Sequence, residues 1–366
     1  MQPSPNSLLI NLLKALAAQV IVFHHLTLYG PLAKSFALAT PAIAWFFYEY
    51  GLHAVQVFFV IAGFLAGGTL NHQVTNSGQL VQVAWRRYKR LLVPLSLALV
   101  VVIGISAVAR LFTDDPIVPA APTIGQFVSH LLFLQGILQQ PSLTVGVWYI
   151  GIDFQLYVLT ALFALVANRV QTPNMFTLLT TATCFASILW FRSLNDYWDE
   201  YAVWFFFAYG YGVLVSQRIP NNKDFATQVT VLIALFATSL LLYAAFVHSN
   251  DWRFVTALAT GLVLLAVHAL DAQLVKVPSK VKQLIETQGQ RSFALFLMHF
   301  PASLLVNAGL DYWQWNGAAA GVTGVLMGWT GAMLLATGFQ RATNGWQYFF
   351  NSTHRLASKL TNQSKI

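Results

Sequence analysis

The sequence predicts an all-α integral membrane protein: a polytopic bundle of about ten transmembrane helices with both termini cytoplasmic. Three observations predict it. Of the 366 residues, 57% are hydrophobic and only 9% charged, whereas a soluble domain carries about a quarter charged residues. Apolar runs of roughly 20 residues, the length of a spanning helix, recur along the chain, where a β-barrel would show shorter alternating segments. The basic residues gather on alternate sides of those runs.

In chain order the expected spans lie near 8–28, 52–70, 91–112, 146–167, 174–194, 201–217, 228–248, 254–270, 289–309 and 317–339. The first is too long and too rich in ionisable groups for a cleaved signal and is read as a retained span. The stretch 41–50, with Trp45 and Glu49, suits a helix lying at the surface. Residues 124–139, IGQFVSHLLFLQGILQ, are apolar but short, as a re-entrant or interfacial piece would be. The longest gap, 113–145, is only loop-sized, so no hidden soluble domain is expected. Residues 1–340 read as one membrane domain and 341–366 as a short basic cytoplasmic tail. No internal repeat of the kind seen in many secondary transporters is visible.

The basic residues set the orientation. Arg86, Arg87, Lys89, Arg90, Arg169, Arg218, Lys223, Lys276, Lys280, Lys282, Arg291, Arg341, Arg355, Lys359 and Lys365 fall on one side, 15 of the 20. The positive-inside bias makes that side the cytoplasm. The other side carries Lys34, Arg110, Arg192 and Arg253 among most of the acidic residues. The net charge of +8 therefore reports topology, not nucleic-acid binding. Cys184 is the only cysteine, which excludes an intramolecular disulfide and a cysteine-rich metal site.

Five stretches carry candidate chemistry. In the first span Lys14 and His25 are eleven residues apart, close to three helical turns, so they share a face about 16 Å apart along the axis. His24 lies roughly 80° off that face. Ionisable groups inside a span are costly and tend to mark a functional path; the bland reading is a snorkelling lysine and capping histidines. Asp153, in VWYIGIDFQLY of the fourth span, needs a cation, a histidine or a proton. Its depth matches that of His25, which predicts an Asp153–His25 pair, with a Lys14 ion pair as the structural alternative. WRRYKRLLVP, 85–94, is a cationic cluster at the mouth of the third span, read either as a positive-inside anchor or as a phosphate grip. The small residues Ala62, Gly63, Ala66, Gly67 and Gly68 suit close helix packing. RSFALFLMHFP places His299 about 12 Å beyond Arg291, by default a buried histidine with a backbone partner. His53, His72, His130, His248, His268 and His354 lack ligand spacing, and no metal site is expected.

In order and wording these pieces resemble the acyltransferase 3 family of integral membrane acyltransferases. The family's basic residue–ten residues–His pattern falls on Lys14 and His25, and its FFvlSGF element is similar to FFVIAGF at Phe58–Phe64. RR-x-x-R-x-x-x-P falls on Arg86, Arg87, Arg90 and Pro94; W-x-L-x-x-E-x-Q-x-Y falls on Trp148, Asp153, Gln155 and Tyr157. S-x-x-x-Y-L-x-H-x-P falls on Ser292, Phe296, Leu297, His299 and Pro301. The chain departs from the family with Lys14 in place of Arg, Asn11 of Asp, Asp153 of Glu and Ala62 of Ser. Many members also carry an extracytoplasmic hydrolase-like domain, which is not expected within these 366 residues.

The resemblance implies an acyl-CoA-dependent O-acyltransferase of a bacterial-type cytoplasmic (inner) membrane. Such an enzyme moves a short acyl group, acetyl above all, to a hydroxyl of an exported or surface glycan or glycolipid, exopolysaccharide and O-antigen included. Arg86, Arg87 and Arg90 would hold the donor's phosphates, and His25 would be the base, tuned by Asp153, with Lys14 on developing negative charge. A covalent acyl-histidine is the other route. His24, Trp148, Gln155, Tyr157 and His299 would line the path. The implied partners are acyl-CoA, the glycan acceptor and the bilayer, with no nucleic acid; homo-oligomerisation stays open. Three other readings compete: a proton-coupled solute transporter, a catalytically silent scaffold in polysaccharide assembly, and a cytoplasm-facing acyltransferase.

Overall fold

The structure is a computed structural model that describes residues 7–172, 174–191, 199–218, 252–274 and 276–363, with side chains of the last helix described to Gly345. Every regular element among the described residues is helical. The α-helices are α1 (Leu8–Leu26), α2 (Gly30–Ala39), α3 (Pro41–Tyr50), α4 (Val55–Gln73), α5 (Ser77–Ala109), α6 (Ile124–Leu131) and α7 (Val147–Val170). They continue as α8 (Met175–Ala186), α9 (Ala202–Arg218), α10 (Trp252–Leu265), α11 (Val267–Leu274), α12 (Ser279–Tyr312) and α13 (Ala318–Gln363).

Among the described residues, six stretches are long and apolar enough to cross a membrane: Leu8–Leu26, Pro41–Gln73, Ser77–Ala109, Val147–Val170, Ser279–Tyr312 and Ala318–Gly345. Met175–Phe191, Ala202–Gln217 and Trp252–Leu265 are shorter apolar helices. The expected span at 228–248 lies outside the described residues.

Two helices begin well before the expected spans. Asn76 caps α5, its Oδ1 accepting from the Gln79 N–H at 3.0 Å, so the cluster Arg86–Arg90 rides on a rigid helix rather than a loop. Pro278 stands at the N-cap of α12, where a missing N–H costs nothing, and that helix runs 34 residues through Arg291. The 41–50 stretch is helical, as expected, and joins α4 through a single 3-10 turn. The 124–139 piece yields only the eight-residue α6, capped by Thr123 and followed by irregular chain.

Two apolar cores meet along α1 and α7. Ile10, Ala17 and Ile21 of α1 and Ile152 and Leu156 of α7 pack with α4 and α9. Ala18, Val22 and Leu26 of α1 and Val147 and Ile150 of α7 pack instead with α5, α12 and α13. The small residues of α4 act as packing surface. Gly63 lies on the backbone of Tyr209, a Cβ on Gly67 would stand 2.8 Å from Val213 Cα, and one on Gly212 would stand 2.8 Å from Phe64 N. Backbones this close require glycine.

The bundle has two distinct ends. At one, Asn168 of α7 donates to the Asn71 and Val74 carbonyls and Arg169 to Ser77, tying the α7 C-terminus to the α4–α5 turn beside the basic cluster. At the other, the C-terminus of α1 and the N-termini of α4, α7 and α9 open into a cavity.

Candidate active site

The cavity has a volume of about 770 Å³. Its floor includes Ile21, His24, His25, Tyr29, Trp148 and Phe296, and the segment 113–145 forms a wall with Ile117, Gln135, Gln139, Gln140 and Thr144. That segment, expected to be a plain loop, is ordered by its own polar contacts. His130 Nδ1 lies 2.7 Å from the Gln126 carbonyl, which accepts, so Nε2 is free to accept the Leu143 N–H at 3.2 Å. Burial pushes this histidine below its ordinary value, which keeps that tautomer. Asp199, Glu200 and Arg253 add charge to the rim.

His25 is bonded differently from the sequence expectation. Its Nδ1 lies 2.9 Å from the Ile21 carbonyl and 3.1 Å from His299 Nε2. The rings of His25 and His299 are 4.8 Å apart, and Tyr29 stacks on His25 at 5.8 Å. His25 Nε2 makes no hydrogen bond to a described residue, while the ring lines the cavity. His24 also lines the cavity but is held by a different partner, its Nδ1 2.9 Å from the Phe47 carbonyl. Tyr29 was not singled out from sequence; it lies beyond the end of α1, extended at the N-cap of α2, and no helical spacing signals its contact with His25.

Asp153 does not meet His25. Its Oδ2 accepts from the Arg87 guanidinium at 2.5 Å, with the two side chains 3% and 20% exposed, and it is absent from the cavity lining. Arg87 also lies over the Tyr157 ring, 5.1 Å from its centroid. Asp153 and Tyr157 are four residues apart on α7, so one helical face presents both a carboxylate and a ring to a single guanidinium. The Lys14 alternative fails too, since Lys14 makes no ion pair with a described residue.

The three arginines thus part company. Arg86 and Arg90 are exposed, whereas Arg87 is turned into the bundle. Arg90 lies within electrostatic reach of Lys14, Arg87 and Asp153. Lys14, Arg87, Arg90 and Asp153 form a cationic cluster at the basic end, with Trp85 and Tyr88 stacked at 5.5 Å beside it.

Of the expected lining residues, His24, Trp148 and Gln155 face the cavity, and Gln155 is held by donating to the Phe133 carbonyl at 3.1 Å. Tyr157 and His299 do not line it; Tyr157 underlies Arg87, and His299, 2% exposed, sits behind His25.

An aromatic septum separates the two ends. Phe296 lines the cavity and touches the ring of His299 at 6.0 Å; Tyr149 packs on Phe296 at 5.4 Å and on Phe59 at 4.7 Å. Tyr149 in turn is within electrostatic reach of Arg87 and Asp153. The described residues hold no group of three or more His, Cys, Asp or Glu able to ligate a metal.

An imidazole open to a cavity, with a cationic cluster at the other end of the bundle, is an arrangement suited to group transfer. No curated protein and no solved structure gives a significant match to the chain. The acyltransferase 3 family model, described as an acyltransferase domain, matches residues 8–339, nearly the whole chain. The chain therefore belongs to the acyltransferase 3 family.

Proposed function

We propose that the protein moves a short acyl group, acetyl in the simplest case, from cytoplasmic acyl-CoA to a hydroxyl of an exported or surface glycan held in the cavity. The observation that carries this reading is the bonding of His25. With Nδ1 committed to acceptors, Nε2 is the basic nitrogen at the cavity wall.

In the proposed reaction His25 Nε2 takes the proton of the acceptor hydroxyl as its oxygen attacks the thioester carbonyl. The carbon–sulfur bond breaks, and the proton passes from His25 to the leaving thiolate, so that ester and CoA thiol are the products. Tyr29, stacked on His25, has its hydroxyl free of described partners and suits hydrogen bonding to the substrates. Burial raises this phenol above its ordinary value, which makes it a donor rather than an acid that ionises. Arg86 and Arg90, exposed at the basic end, suit the nucleotide phosphates. The arm linking phosphates to thiol would cross the interval of about 16 Å between the depths of Lys14 and His25. Trp148, Gln135 and Gln155 present a ring and amides suited to sugar faces and hydroxyls.

Under this reading the basic end faces the cytoplasm of a bacterial-type inner membrane, about ten helices span it, and both termini are cytoplasmic. The test uses detergent-purified protein with acetyl-CoA and a polysaccharide extract, reading CoA thiol release and acceptor acetylation. His25→Ala should abolish transfer, and Arg86→Ala with Arg90→Ala should raise the KM for acetyl-CoA at least tenfold. Wild-type turnover in His25→Ala would refute the mechanism.

A further inference from the structure

Two imidazoles from helices far apart in sequence meet at the cavity floor, and their partners fix every proton. His299 Nδ1 lies 3.2 Å from the Leu295 carbonyl one turn back. A carbonyl only accepts, so this nitrogen carries the hydrogen and His299 Nε2 carries a lone pair. That lone pair stands 3.1 Å from His25 Nδ1, which also faces the Ile21 carbonyl at 2.9 Å. Facing two acceptors, His25 Nδ1 must be the N–H.

We infer that His299 is the positioning residue of the His25 base. It accepts the Nδ1 hydrogen and, when Nε2 takes a proton from the acceptor hydroxyl, it shares the imidazolium charge through that same hydrogen bond. Hydrolases with a Ser-His-Asp triad give this place to a carboxylate. Here the carboxylate that sequence reasoning put in that place, Asp153, is committed to Arg87. A neutral imidazole supplies the acceptor without burying a further charge among apolar helices, where an unpaired carboxylate would be costly. His299 is 2% exposed and does not line the cavity, so it acts only through His25. The Ile21 carbonyl already holds the tautomer; His299 contributes the polarisable second acceptor.

This inference rests on the proposed reaction, and its test separates the two. The full-length purified protein is assayed with acetyl-CoA for kcat and KM. His25 is followed in parallel through its rate of N-carbethoxylation by diethylpyrocarbonate, read by peptide mass spectrometry and independent of turnover. His299→Leu, which fills the space without an acceptor, should lower kcat about 10- to 100-fold with KM unchanged, and should slow carbethoxylation of His25 several-fold. His299→Gln, whose Oε1 can accept the same hydrogen, should recover most of both. Leu and Gln variants that both stay within twofold of wild type, or a Gln variant no better than Leu, would overturn the dyad even where His25→Ala is inactive. Turnover that survives His25→Ala would instead overturn the proposed reaction, leaving the carbethoxylation series to decide the dyad.

Discussion

Removing one member of the Arg87–Asp153 pair should be far worse than removing both. The side chains are 20% and 3% exposed, so each charge has exchanged most of its water for the other. Breaking a buried pair from one side costs about 3–5 kcal/mol, because the survivor is left charged and unpaired. Arg87 keeps some water and the Tyr157 ring at 5.1 Å, which puts Asp153→Leu at the lower limit, about 3 kcal/mol. In Arg87→Met/Asp153→Leu the desolvation cost disappears with the attraction, and stability should return to within about 1 kcal/mol of wild type. Cys184, the only cysteine and part of the core between α8 and α9, is a built-in reporter. A thiol-reactive dye added to the detergent-purified protein lights up when the bundle opens. At no more than about 2–4 °C per kcal/mol for a chain of this size, the single variant should unfold up to about 6–12 °C earlier. Single variants within about 1 °C of wild type, or a double variant that falls by the sum of its parts, would refute the pairing as an energetic unit.

Three further outcomes follow from the same geometry. Tyr149→Ala removes the septum residue packed on Phe296 and Phe59; it should raise acetyl-CoA hydrolysis without acceptor at least fivefold, and unchanged hydrolysis would show that the septum excludes no water. Gly212→Val drives a side chain into the α4 backbone at Val60 and Phe64; folded yield after detergent gel filtration should drop steeply, and a wild-type yield would mean the two helices part easily. His130 has its folded value held below 6.5 by burial, so its contribution to the cavity wall is complete above that pH and lost as pH falls from 6.5 through the lowered value. Limited proteolysis of segment 113–145 should accelerate between pH 7.5 and pH 5, and equal resistance at both would contradict the buried neutral ring.

What the sequence showed and what it concealed divide along one line. Depth along a helix is readable at 1.5 Å per residue, which puts Lys14 and His25 about 16 Å apart along α1. Which helix stands opposite is not readable from one chain. His25 and His299 are 274 residues apart, and Arg87 and Asp153 are 66 apart. Matching Asp153 to His25 by depth alone ignored azimuth, although azimuth was available. Gln155 lies seven residues beyond Trp148, about 20° from it around the helix, and both reach the cavity. Asp153, five residues beyond Trp148, lies about 140° away, on the side that meets α5. Periodicity alone therefore turns the carboxylate from the cavity that Trp148 and Gln155 line. The α5 extension was missed for a different reason: a polar, basic stretch reads as loop, and only its Asn76 cap signals that the helix has already begun.

That azimuth also accounts for how the charges are distributed. A base that becomes an imidazolium is opposed by every cation near it. Lys14, Arg87 and Arg90 against Asp153 leave a net two positive charges at the basic end. At about 16 Å along α1 and an effective dielectric of about 20, Lys14 costs the imidazolium about 1 kcal/mol, whereas at about 5 Å it would cost about 3 kcal/mol. In the proposed reaction, distance along α1 would let one chain keep both a cationic grip for phosphates and a histidine base. Asp153 serves the base by cancelling the charge of Arg87 within their ion pair. On this argument Arg87→Met/Asp153→Leu, which leaves the net charge unchanged, should keep most of the turnover that Asp153→Leu alone loses. Equal loss in both variants would mean that the carboxylate takes part in the chemistry directly.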